Sequence, residues 1–372
     1  MKTLLLFTGL LMALCACGGD DDAPPALPAA TQAAVDNIVQ TRLAADNLPG
    51  AVVLISIPGE GEMVKAYGKA NLQTQAPRTT SDPFRIASIT KTFTATAVLQ
   101  LVAAGKLALT DKVATWYPGF PNGDSITIDH LLRMRSGIVD PFDDALLRAF
   151  YADPLMQLEP DEAIARAAAL GAQFKAPDTE TKYNNLNFVL LERIATKVDG
   201  RPMQTQLTER VFQPLGMRDS IYPTDTALAG GTRGYSLDET TLQFVDRTVL
   251  DPTVAGGAGA MISSLRDLAL YARALCTGSL LPSEPLQRAR LQGTPLQGAP
   301  EFIKYGAGVL QFGQFCGHNG TIMGFSSEMF YLPAKDAVIV INVNRLDADD
   351  HSKSTELFLL LTRQLLPQNV NW

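Results

Sequence analysis

The feature that most constrains this chain is where its strands fall. Apolar, β-branched runs stand near the two ends, at residues 51–57 (AVVLISI) and 63–70, and again at 325–332 and 337–342. The first two flank Pro58-Gly59 and read as a hairpin, and the last two flank the turn signal Pro333-Ala334-Lys335-Asp336. Between the ends, apolar residues recur at helical spacing over 31–48, 90–104, 128–134, 161–170, 187–197, 202–211 and 264–275, and once more over 354–366. Strands split in this way suggest one sheet assembled from both chain ends, with the middle folded as a helical lobe. The expected fold class is α/β in the α+β sense.

The first residues read as an address. Lys2 precedes an apolar run of about thirteen residues, too short to span a bilayer and typical of a secretory leader. The run ends in Leu14-Cys15-Ala16-Cys17, which resembles a bacterial lipobox. That resemblance makes 1–17 a lipoprotein signal peptide and Cys17 the lipidated first residue of the mature protein, with a plain signal peptide cleaved nearby as the alternative. Residues 18–32, mostly Gly, Asp, Pro and Ala, read as a flexible tether, and 33–366 as the folded domain. We expect an exported protein of the cell envelope, lipid-anchored on a periplasmic or outer-membrane face. Cys276 and Cys316 remain after export, and in an oxidising compartment they are a disulfide candidate.

Composition excludes several classes of function. Net charge is −7 and no Lys/Arg run stands out, which argues against a nucleic-acid partner. The three histidines, His130, His318 and His351, have no metal-ligand spacing, so no metal site is expected. The glycine-rich stretch 256–260 lacks both the strand–helix context and the lysine of a phosphate loop, and reads as a tight backbone crossing. No cofactor is expected.

Three short segments can carry chemistry. In Ser88-Ile89-Thr90-Lys91 the serine and lysine are three residues apart at the start of a helical run, so they share a face. A helix start also favours negative charge, which suits the oxyanion a serine attack creates. Alone, the segment reads more readily as an N-cap and a solvated lysine. Tyr183-Asn184-Asn185 enters another helical run, and alone reads as a turn with a buried phenol. Cys316-Gly317-His318-Asn319-Gly320-Thr321 precedes the returning strands, and alone reads as a glycine-rich hairpin with a satisfied histidine.

Taken together and in this order, Ser-x-x-Lys, Tyr-x-Asn and His-x-Gly resemble the class C serine β-lactamases, a family that includes D-alanyl-D-alanine carboxypeptidases and related esterases. Supporting segments are residues 126–137, 212–217, 257–268 and 305–308, and the resemblance covers about 33–366. It implies an antiparallel sheet flanked by helices beside an all-helical lobe, with the site in the cleft between them. It also implies that Ser88 is acylated and that Lys91 stays charged and lowers the pKa of Tyr183, which takes the serine proton. Asn185 would bond the acyl side chain, His318, Asn319 and Gly320 would shape the substrate wall, and the N–H groups of Ser88 and Thr321 would form the oxyanion hole. The substrate would be an acyl-D-Ala-D-Ala peptide first, with an ester or a β-lactam as alternatives, and a non-turnover wall or β-lactam sensor as the reading from another class. Two departures bear on specificity. Asn319 stands where a hydroxyl-bearing Thr is common, and Leu310 stands where some carboxypeptidases carry a cation.

Overall fold

The two terminal hairpins meet in one sheet. In the computed structural model, which describes residues 24–228, 230–238, 240–347 and 352–370, the sheet strands in chain order are β1 (Gly50–Ile57), β2 (Gly61–Gly68), β3 (Thr294–Pro295), β4 (Ile303–Tyr305), β5 (Leu310–Phe312), β6 (Phe315–Ile322), β7 (Phe325–Leu332) and β8 (Ala337–Val343). Their spatial order is β2-β1-β8-β7-β6-β5-β4-β3, with antiparallel pairing throughout. The chain ends are joined where β1 pairs with β8, from Ala51 opposite Val343 to Ser56 opposite Val338.

Every residue of β7 and β8 is buried, so neither strand alternates between apolar and polar faces; β8 is apolar but for Asn342, while β7 also buries Ser326, Ser327 and Glu328. Helices α1 (Ala29–Ala45) and α5 (Lys353–Leu365) pack on each other and on the sheet, while α4 (Leu265–Thr277) packs against β1, β6, β7 and β8. Phe358 of α5 meets Phe330 of β7 at 4.7 Å and Phe315 of β6 at 5.3 Å between ring centroids. The helical lobe centres on α2 (Thr90–Ala103) and α3 (Leu186–Asp199), which pack on each other. Every residue of α2 from Thr90 to Leu99 is buried. Its threonines tolerate this because Thr92 donates to the Ile89 carbonyl at 2.7 Å, Thr96 to Thr92 at 2.8 Å, and Thr94 to Gly257 at 2.8 Å.

Several expectations shift. The segment read as a glycine-rich hairpin is strand β6, whose glycines mark close backbone approaches rather than a turn; a Cβ on Gly317 would lie 1.9 Å from the Met329 carbonyl oxygen. Helices Asp144–Ala152 and Glu284–Leu291 and strands β3 to β5 were not anticipated. Residues 202–211 form a short helix, Met203–Leu207, continued by a π-helical turn, Thr208–Phe212. The tether expected over 18–32 is not a tether from residue 24 onward. Leu27 is 2% exposed, its N–H donates to the Glu62 carbonyl at 3.1 Å on the outer strand β2, and α1 begins at Ala29. Burying Leu27 and pairing the sheet edge outweigh the flexibility of the sequence there. The leader 1–17, Cys17 and residues 18–23 lie outside the described residues. No described helix is long and apolar enough to cross a membrane.

Candidate active site

Ser88 stands on a single 3₁₀ turn, Ala87–Ile89, just ahead of α2. Its side chain caps neither that turn nor the helix, which removes the simple capping role. Ala87 sits at φ +48°, a left-handed conformation that non-glycine residues adopt only under constraint. The neighbouring strand supplies that constraint. A Cβ on Gly320 of β6 would lie 2.2 Å from the Ile86 carbonyl oxygen and 2.8 Å from the Ser88 nitrogen. Only glycine lets the strand backbone come this close, and the approach places Thr321 at the rim of the same cavity as Ser88.

Lys91 is fully buried one helical turn on. Its Nζ donates to Ser88 Oγ at 2.9 Å, Asn185 Oδ1 at 2.9 Å and the Ala258 carbonyl at 2.8 Å. Asn185 is held in turn, because its backbone N–H and Nδ2 both donate to Asp140 Oδ2, at 2.7 and 3.2 Å. That fixes its amide, nitrogen toward the carboxylate and oxygen toward the lysine. Ala258 belongs to the glycine-rich crossing, a short helix Gly256–Gly259 pinned by half-buried Glu192, which accepts from the Gly257 N–H at 2.7 Å and from the Tyr222 hydroxyl at 2.5 Å. Burial pulls the Lys91 ammonium down to about 7, against the opposing pull of Asp140.

Tyr183 lies beside this pair. Its hydroxyl shares a hydrogen bond with Ser88, and Lys91 Nζ sits 4.8 Å from its ring centroid. The expected phenolate is corrected here. Burial first, and Asp140 second, push the phenol above its ordinary value, and the bond with Ser88 does not offset them. At neutral pH Tyr183 is a neutral phenol, and the group poised to change charge is Lys91.

The strand wall also departs from expectation. His318 is 0% exposed, and both ring nitrogens are used inside the protein. Nδ1 lies 2.6 Å from the Asn319 carbonyl, which can only accept, so Nδ1 carries the proton and Nε2 accepts from the Tyr305 hydroxyl at 3.2 Å. Burial, reinforced by Lys91, holds its pKa down to about 3. His318 therefore buttresses an aromatic cluster with Tyr305 and Tyr183, with centroids 5.6 and 6.2 Å away, and offers no free group to a substrate. Asn319 is half-buried, pairs across the sheet with Glu328, and does not line the cavity. Ser88, Asn185 and Thr321 do line it, in a volume of about 270 Å³.

Sequence reasoning missed Asp140, the Ala258 carbonyl as a lysine partner, and Tyr305 as the histidine's partner. Asp140 has no local signature, whereas the other two lie in segments whose motifs were visible but whose side-chain roles were not. Cys276 at the end of α4 and Cys316 of β6 are joined by a disulfide, with Cα atoms 6.1 Å apart. Among the described residues no group of three or more His, Cys, Asp or Glu is placed to hold a metal.

A profile of the beta-lactamase family matches residues 35–362. Over 237 residues the chain is 30% identical to "Penicillin-binding protein 4" of Amycolatopsis lactamdurans, covering 61% of this chain and 59% of that protein. Over 206 residues it is 34% identical to "Esterase EstB" of Burkholderia gladioli, covering 52% of each. The chain thus spans between half and three-fifths of the length of these two curated relatives. The solved structure of a D-stereospecific amidohydrolase from Streptomyces sp. superposes with a TM-score of 0.77 at 29% identity, covering 90% of this chain and 98% of that one. The matched profile, the shared sheet-and-lobe architecture and a serine set against a buried lysine agree: the chain belongs to the beta-lactamase family of serine hydrolases.

Proposed function

We propose that this chain is an acyl-transferring serine hydrolase that forms a covalent ester on Ser88 and releases it to water. The observation that carries this reading is Lys91 Nζ, 2.9 Å from Ser88 Oγ, with its pKa pulled down to about 7. Once Lys91 loses its proton, its lone pair has one possible donor. The carbonyls of Asn185 and Ala258 can only accept, so the amine faces the Ser88 hydroxyl. Ser88 Oγ then bonds to the substrate carbonyl carbon while its proton passes to Lys91. The oxyanion is met by the N–H groups of Ser88 and Thr321. As the bond from carbon to the leaving atom breaks, that proton returns through the neutral phenol of Tyr183 to the leaving group. Water, deprotonated by the same pair, hydrolyses the acyl-enzyme.

Among the substrates considered, a D-alanyl-D-alanine peptide brings a terminal carboxylate. Val309 and Leu310 follow the Tyr305–Gly308 segment, where the resemblance puts a cation in some carboxypeptidases; both are apolar and buried, and His318 is neutral. This favours esters and amides over the carboxypeptidase reading. Labelling with a fluorophosphonate, followed by p-nitrophenyl ester, D-Ala-D-Ala peptide and nitrocefin turnover, tests the proposal. Label on Ser88 with ester turnover supports it, and absence of label on folded protein refutes it. Stable label with no product from any substrate would instead favour a sensor.

We further propose that the protein is exported and lipid-anchored through Cys17. The leader-like residues 1–17 support this, as does a disulfide, which persists in oxidising compartments. Unchanged membrane fractionation of Cys17→Ser would contradict it.

A further inference from the structure

The cavity beside Ser88 lies on one side of the nucleophile. Its lining includes Ser88, Asn185, Ala258 and Thr321 but not Lys91, Tyr183, Tyr305 or His318. The proton must reach the leaving group from Tyr183 and Lys91, so the leaving group sits on the aromatic side. The cavity is left for the acyl part of the substrate.

Beyond Ser88 and Asn185, its walls are mostly apolar, and Val254 and Ala255 ahead of the helix Gly256–Gly259 form one of them. Phe142, Leu147 and Phe150 lie in and beside the helix Asp144–Ala152, Ile322 and Met323 at the β6–β7 turn, and Leu346 just after β8. Asp347 is the one charged residue among the described lining residues, and its carboxylate is already committed. Oδ1 accepts from the Leu237 N–H, and Oδ2 accepts from Arg345 Nε at 2.9 Å. No lysine or arginine is among the described lining residues. An ammonium or carboxylate on the acyl group would be desolvated here with no uncommitted opposite charge beside it, whereas an apolar group would lose only water.

Resting on the acyl-enzyme reading, we propose that this cavity is an acyl subsite for an uncharged, bulky apolar acyl group, with Leu147, Phe150 and Met323 setting its preference. Substrates with a free α-ammonium, an anionic acyl chain or a mere acetyl group are then poor acyl donors.

The test is the single-turnover acylation rate of the full chain with p-nitrophenyl acetate, butyrate, hexanoate and monosuccinate, which share one leaving group. Burying a methylene is worth about fourfold from transfer alone, and one methylene in a fitted apolar pocket about ten- to two-hundredfold. We expect hexanoate to exceed acetate by about tenfold or more, and monosuccinate to fall below butyrate. Leu147 is 44% exposed at the cavity mouth, so Leu147→Lys is expected to fold. It should reduce the hexanoate-to-acetate ratio severalfold and raise monosuccinate relative to butyrate. A flat or reversed chain-length profile overturns the assignment, as does an unchanged ratio in folded Leu147→Lys. Label on Ser88 with such a profile sinks the subsite alone, whereas no label on Ser88 from any acyl donor sinks the acyl-enzyme reading and the subsite with it.

Discussion

Lys91 and Glu328 are both buried ionisable groups, and burial moves both toward their neutral forms, the lysine down to about 7 and the glutamate up to about 8. What surrounds them differs. Lys91 Nζ meets two carbonyls and the one hydroxyl of Ser88, which opens onto the cavity. Glu328 of β7 meets hydroxyls alone, Thr355 at 2.6 Å, Ser354 at 3.0 Å and Ser352 at 3.5 Å, around the start of α5. Burial perturbs a pKa wherever it occurs. Chemistry needs in addition a partner that can react and a space where a substrate can reach it.

The sharpest way to break this comparison is Ser88→Ala, which should bring acylation to background while the thermal midpoint stays near wild type; residual ester turnover at the wild-type rate would remove Ser88 from the chemistry. Next in size is Lys91→Met, expected to lower kcat/KM by about 10²- to 10⁴-fold. In the wild type, kcat/KM should rise with pH through about 7 as the amine frees its lone pair, and a profile flat from pH 5 to 9 would contradict Lys91 as the base. A smaller effect is expected from Asp140→Asn. The carboxylate raises the Lys91 pKa, so its loss should move the acid limb of the profile to lower pH. A shift to higher pH would show that Asp140 acts by some other route.

The smallest effect separates the two groups by stability alone. Lys91 titrates near 7 when folded and near 10.5 when unfolded. The unfolded chain therefore holds the extra proton between those values, and this lysine makes stability rise with pH from about 7 to 10.5. Glu328 titrates near 8 when folded and 4.5 when unfolded, so its contribution is full below 4.5 and is lost as pH rises to 8. In chemical denaturation across pH, Glu328→Gln should flatten the lower window with kcat/KM unchanged, and Lys91→Met the upper. A drop in acylation with Glu328→Gln would mean the two regions are coupled.

Much of this site was legible before any coordinates. Ser88, Lys91, Tyr183 and Asn185 could be named because three short motifs, each ambiguous alone, stand in the order that the chain's family resemblance carries. The charge states were not legible. Lys91 was expected to stay an ammonium and Tyr183 to become a phenolate; burial brings the lysine to the edge of losing its proton near neutral pH and keeps the tyrosine a phenol, since desolvation depends on how many atoms of other segments surround a group. His318 shows the same limit, since it was visible as a motif residue but its role depended on finding Tyr305, thirteen residues away, against its second nitrogen. Asp140 and the apolar wall of the cavity come from segments with no motif at all.

By itself, then, the order of residues determined that one sheet is made from both ends of the chain, that a helical lobe fills the middle, and which serine and lysine share a helical face, because periodicity and spacing act within a few residues. Only the tertiary structure decided which group holds the proton, that Gly320 must lack a side chain against the Ser88 turn, and that the acyl side of the cleft is apolar. Desolvation, close backbone approach and pocket shape arise between segments brought together from distant parts of the chain, and no local pattern encodes them.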